Sequence, residues 1–291
     1  MSAPGTGTAY PRFTSMQRGQ HLVLIASFTL LALTGLPQKF GASPIGERML
    51  LLMGGIEVAR ILHRVAAVVL MAVTIVHVVD VAYFVYVMRA PLSMLPKVDD
   101  LRHVIQAVRY NLGLANSRPR MGRFTFEEKV EYWSLIWGTP LMIATGFMLW
   151  NPIASARFLP GQFIPAALVV HGGEALLAVL AIVIWHGYGV HLRHFNRSMF
   201  TGTMTETEMH HEHPLELEDI RAGRVPGPPE PAVRQRRLRL FLPAAGITLV
   251  VLFVGLYYFV TFEQTAIPTV PRQVPAEERA AQTVPAAAKP N

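Results

Sequence analysis

Apolar residues gather into five long runs, at about 20–37, 60–88, 131–150, 163–190 and 240–262, separated by polar and basic stretches. A helix crosses a bilayer core with roughly 20 consecutive apolar residues. The pattern therefore predicts an all-α integral membrane helical bundle, with a four-helix core and a fifth transmembrane helix. Segment 94–115 is patterned differently: Leu101, Val104, Ile105, Val108 and Leu112 share one helical side and His103 lies on the polar one, which predicts an amphipathic helix on the membrane surface. Residues 203–239 are polar and acidic, then rich in Pro, Gly and Arg, and read as a linker in which His210, His211 and His213 (HHEH) form a solvated cluster in preference to a metal site. The Pro/Ala-rich stretch 264–291 reads as disordered. The expected organisation is an N-terminal segment 1–19, the bundle 20–200, a linker 201–239, a fifth span 240–262 and a tail 263–291.

Composition narrows the chemistry. The chain is 52% apolar and 15% charged, against about a quarter charged in soluble domains. It has no cysteine, which excludes disulfides, thiolate-held iron–sulfur clusters and covalently attached haem. The net charge of +7 does not point to nucleic acid, because the basic residues sit in loops between apolar runs. Stretches 89–129 and 191–239 carry most of them and should face the cytoplasm. The connections after the first and third runs are poor in positive charge and should face outward. Arg12 and Arg18 precede the first run, so the N-terminus is expected inside a prokaryotic cytoplasmic membrane and the C-terminus outside. A signal-peptide reading of that first run is disfavoured, since Thr34-Gly35-Leu36-Pro37 offers no good small-residue cleavage site.

Ionisable residues inside spans usually have a partner or a function, and here the histidines form a pattern. His63 and His77 lie on the second run, and His171 and His186 on the fourth, at spacings of 14 and 15 residues. At about 1.5 Å per residue each pair is separated by roughly 21 to 22 Å, yet each keeps approximately to one helix side. Both runs start outside, so His63 meets His171 at one depth, while His77 and His186 lie nearer the cytoplasm. Facing imidazoles at two depths suit bis-histidine ligation of two haem b groups. Zinc is disfavoured because the pairs are too far apart to share an ion. Gly172, Gly173, Gly187, Gly189, Ala66 and Ala67 flank these histidines and leave room for a porphyrin edge, and Arg64 is placed to meet a propionate. His21, at the cytoplasmic start of the first run, lies close to the depth of His186 and competes with His77 for the inner haem. His191, five residues past His186, would join His21 in a third haem, or else cap a helix end.

With these residues in view, the chain resembles the cytochrome b subunits of membrane-bound formate dehydrogenases and nickel–iron hydrogenases. The resemblance runs over about residues 12–205, through RGQHLVLIASFTLLALTGL, ARILHRVAAVV, EEKVEYWSLIWGTPLMIATGFMLWNP and VVHGGEALLAVLAIVIWHGYGVH. It implies four helices around two b haems, with electrons arriving from a partner subunit on the outer face and reducing menaquinone near the cytoplasmic haem. Carried over by position, it makes His63 and His171 ligands of the outer haem and His21 and His186 ligands of the inner one. The chain departs from that pattern in a fourth-span spacing one residue longer, in the extra His77, and in the fifth span with its tail. The 14/15 spacing instead looks like that of quinol–cytochrome c reductases, which would pair His77 with His186, and both pairings stay open here.

The expected function is electron transfer across the membrane between a partner redox subunit, iron–sulfur or multihaem, and menaquinone or ubiquinone, in either direction. Thr125, Glu128 and Lys129, at the start of the third run, are candidates for the quinone edge. Two other classes compete: a transporter whose histidines relay protons, and a haem-containing anchor without quinone chemistry.

Overall fold

The computed structural model describes residues 8–193 and 195–262 and is almost wholly helical. Its helices are α1 (Ser15–Lys39), α2 (Pro44–Leu52), α3 (Ile56–Ala82, continued by a π-helical turn Tyr83–Val87), α4 (Val98–Asn111), α5 (Phe126–Trp150) and α6 (Pro152–Ala156). They continue with α7 (Phe163–Leu180, extended by π-helical turns Ala181–His186 and Tyr188–Arg193), α8 (Ser198–Thr201), α9 (Glu206–Glu212), α10 (Pro214–Arg221) and α11 (Pro231–Thr261). The strands β1 (Ala9–Pro11) and β2 (Thr203–Thr205) pair antiparallel, Tyr10 opposite Met204.

Local sequence sets several of the helix starts. Thr14 with Gln17 and Thr125 with Glu128 form reciprocal capping boxes on α1 and α5, satisfying backbone N–H groups that a first turn leaves unpaired. Ser43 caps α2, which has Pro44 in its first turn. Among the described residues four helices are long and apolar enough to cross a membrane: Ser15–Lys39, Ile56–Val87, Phe163–Leu192 and Pro231–Thr261. The chain is thus a multi-pass helical membrane protein. The third predicted run is the 25-residue helix α5, whose apolar sequence is interrupted by Trp133, Trp137, Gly138, Thr139 and Pro140. We propose that it is a fifth crossing beside the other four.

α1 packs on α3, α5 on α7, and α1 on α7, forming the four-helix core, while α11 lies outside against α3. Phe241 of α11 stacks on Tyr86 at 6.5 Å, and Arg237 donates to the Tyr86 carbonyl at 2.6 Å, a main-chain oxygen within the π-helical end of that span. α4 occupies the predicted amphipathic segment, with Leu101, Ile105, Val108 and Leu112 exposed. Buried Lys129 of α5 holds it through both carboxylate oxygens of Asp100, at 2.7 and 2.9 Å.

The expected linker is in part a folded cap. Met204, Met209 and Leu217 form its core, with Tyr10 and Ile220 packed against it. Gly202 has φ +83° and a Cβ there would stand 2.9 Å from the Phe13 carbonyl, so glycine permits both the turn and the approach of the N-terminal segment. Its carbonyl accepts from Arg12 N and Phe13 N at 2.8 and 3.1 Å. His213, expected to be solvated, is wholly buried: its Nδ1 donates to the Gly122 carbonyl at 2.8 Å and its Nε2 accepts from Arg12 at 3.0 Å. Burial, and then the Arg12 charge, push this imidazole down to about 3. The reason for the difference is non-local, since its partners lie 91 and 201 residues away. His210 and His211 lie on α9, and among the described residues no group of three or more His, Cys, Asp or Glu is placed to hold a metal ion. The predicted tail 263–291 lies outside the described residues.

Candidate functional site

Two pairs of histidine rings face one another inside the four-helix core. His63 of α3 and His171 of α7 have ring centres 6.3 Å apart, and His21 of α1 and His186 of the fourth span have theirs 6.4 Å apart. Two metal–nitrogen bonds of about 2 Å each, plus the two ring radii, add up to about this spacing.

The one-residue surplus in the fourth span has a structural counterpart. Residues Ala181–His186 form a π-helical turn, which closes i→i+5 hydrogen bonds and takes up one more residue than an α-helical turn. His186 is thereby brought opposite His21. The distance from His186 to His191 is also short, 6.3 Å between ring centres with the rings nearly perpendicular, so three histidines gather at this end of the core.

His77 is held elsewhere. Its Nδ1 donates to Gln20 Oε1 at 2.8 Å, which leaves Nε2 to accept from the Tyr132 hydroxyl at 3.1 Å. Both ring nitrogens are engaged, and the side chain ties α1, α3 and α5 together. Asp80 lies beside this group. Of the two histidines that compete in the sequence, His21 stands opposite His186 and His77 forms a polar tie.

Residues that sequence reading missed support the paired rings. Thr34 Oγ1 donates to the Leu30 carbonyl at 2.6 Å and stands 2.9 Å from His63 Nδ1; Thr145 Oγ1 donates to the Leu141 carbonyl at 2.7 Å and stands 2.9 Å from His171 Nδ1. A hydroxyl has one proton, so each threonine accepts from Nδ1–H and leaves the lone pair on Nε2. The next residue is glycine in both cases. A Cβ on Gly35 would meet His63 Cε1 at 2.9 Å, and one on Gly146 would meet His171 Cε1 at 3.3 Å. The signal was the Thr-Gly dipeptide, present once in the first run and once in the third. His186 Nδ1 instead donates to Glu131 Oε2 at 2.8 Å, an acidic residue near the start of α5. Arg64 stacks over Trp150 at 4.5 Å near the His63 level.

The predicted quinone-edge residues have structural partners. Thr125 and Glu128 make the α5 cap, Glu128 also lies 3.6 Å from Arg12, and Lys129 pairs with Asp100.

Fold and site together define a helical membrane protein with facing histidine pairs at two levels of one bundle. No family model matches the chain. Over 215 residues it is 24% identical to the formate dehydrogenase cytochrome b556(fdo) subunit of Escherichia coli strain K12, a match covering 72% of this chain and 92% of that protein. Over 205 residues it is 20% identical to the nitrate-inducible formate dehydrogenase cytochrome b556(Fdn) subunits of Escherichia coli K12 and Shigella flexneri, covering 70% of this chain and 88% of each relative. The chain is thus similar, over about 70% of its length, to cytochrome b556 subunits of formate dehydrogenases.

Proposed function

We propose that the chain is the membrane cytochrome b subunit of a respiratory oxidoreductase, holding two haem b groups and passing electrons between a partner redox subunit and the quinone pool. The observation that carries this reading is the pair of facing imidazoles at each of two levels, 6.3 and 6.4 Å apart. The proposed axial ligands are His63 with His171, and His21 with His186. Bound haem supplies one-electron chemistry, and the chain supplies ligation, burial and orientation.

In this reading Thr34 and Thr145 hold their histidines in the tautomer that offers Nε2, and Glu131 does the same for His186. The His77 tie fixes the registry of α1, α3 and α5 at the second level, one residue from His21 and one from Glu131. Arg64 is a propionate partner at the first level. Quinone exchange is assigned to the edge of the His21–His186 level, where Thr125, Glu128 and Lys129 build the entrance through their cap and ion pairs. The basic loops orient the N-terminus to the cytoplasm and, after five crossings, the C-terminus outward.

The test is the reduced-minus-oxidised spectrum and extractable haem of purified protein with single substitutions. Two non-covalent haems per chain are expected. His63→Ala and His171→Ala should remove the same one, His21→Ala and His186→Ala the other, and His77→Ala should leave both. A colourless protein would return the proton-relay reading, haems that quinol cannot reduce would return the anchor reading, and a haem lost from His77→Ala but kept in His21→Ala would exchange the inner ligands.

A further inference from the structure

The two histidine levels are supported by different chemistry. At the His63–His171 level both Nδ1 groups face neutral threonine hydroxyls, each at 2.9 Å. At the other level His186 Nδ1 faces the Glu131 carboxylate at 2.8 Å, while His21 Nδ1 is buried with no hydrogen-bond partner. One imidazole of the four therefore carries an acidic acceptor. The basic groups at this end of α5 are bound elsewhere, Lys129 to Asp100 and Arg12 to His213 and Glu128.

We propose that Glu131 is a positioning residue that sets the redox potential of the His21–His186 centre, holding it lower than a neutral acceptor would. The inference rests on the haem reading above. A charge-assisted hydrogen bond is about twice as strong as a neutral one, so the carboxylate fixes the His186 ring and makes Nε2 a more basic donor to iron. The oxidised centre carries one more positive charge than the reduced one, and a nearby negative charge stabilises it preferentially. The threonines fix tautomer and ring orientation at the other level without adding charge. A carboxylate is costly within a span, and here its hydrogen-bond partner is the histidine itself.

Potentiometric titration with optical spectra tests this on the full-length purified protein, the wild type being read first. Absence of haem there overturns the haem reading itself. With two haems present, the centre missing from His186→Ala identifies the affected signal. Glu131→Gln should raise the midpoint of that centre so that its oxidised-to-reduced ratio at a fixed potential falls about tenfold, roughly 59 mV for one electron, and leave the other centre unmoved. Thr145→Val should act only on the other centre. A retained haem at unchanged potential in Glu131→Gln overturns the proposal. If Glu131→Gln loses that haem, Glu131→Asp decides: retention at the wild-type potential supports the charge, and loss overturns it.

Discussion

At the scale of single residues, each histidine of the His63–His171 level is supported by one threonine and crowded by the glycine that follows it. Removing the hydroxyl takes away one Nδ1–H acceptor and leaves only the main chain of Leu31 beside His63 and of Met142 beside His171; outer partners of this kind are worth about 10- to 100-fold in metal affinity. Thr34→Val and Thr145→Val are therefore expected to weaken haem retention at that level by about this range, read as haem lost per chain on dilution, with the other centre intact. Gly35→Ala should be harsher than Gly146→Ala, because its methyl would stand 2.9 Å rather than 3.3 Å from the ring. The histidines were legible in sequence because titratable residues are rare inside apolar runs. The threonines were not, since a span threonine commonly bonds its own helix, as Thr34 and Thr145 also do.

At the scale of elements, the fourth span shows how a helix can carry a surplus residue without losing its register. The turn Ala181–His186 widens, and the added residue is absorbed before His186. Deleting Ile182 is expected to restore a regular α-helix and keep the His21–His186 centre, whereas inserting an alanine after Ile182 should turn His186 through about 100° and abolish that centre while sparing the other. Haem count and spectra of the two variants check this. Spacing alone could not distinguish a π-helical turn from a rotated regular helix, because the hydrogen-bond pattern that makes the difference has no residue signature in AIVIWH.

At the scale of the whole molecule, the cap joins the chain's first strand to residues that follow the fourth span. Its buried His213 is held neutral, with its pKa lowered to about 3 from the ordinary 6.5. An imidazole that is neutral when folded but free to protonate when unfolded contributes stability above the ordinary value, and that contribution is lost as pH falls from about 6.5 towards 3. The cap should therefore open on acidification, with amide exchange rising in β1, β2, α9 and α10 before the core spans respond. His213→Phe, which cannot take up a proton, should flatten this dependence even though it gives up the bonds to Arg12 and Gly122.

The sequence by itself determined that this is a helical membrane bundle and roughly where its long helices fall along the chain. These are local or periodic properties, fixed by how many apolar residues follow one another and by the advance of about 100° per residue. Tertiary structure decided what each polar group faces. His77 finds Gln20 and Tyr132, His21 finds His186, and His213 finds Arg12, all across long sequence separations. The sequence ranks His21 and His77 alike because depth along a helix is readable from residue counting, whereas the rotation of one packed helix against its neighbours is set only when all of them come together.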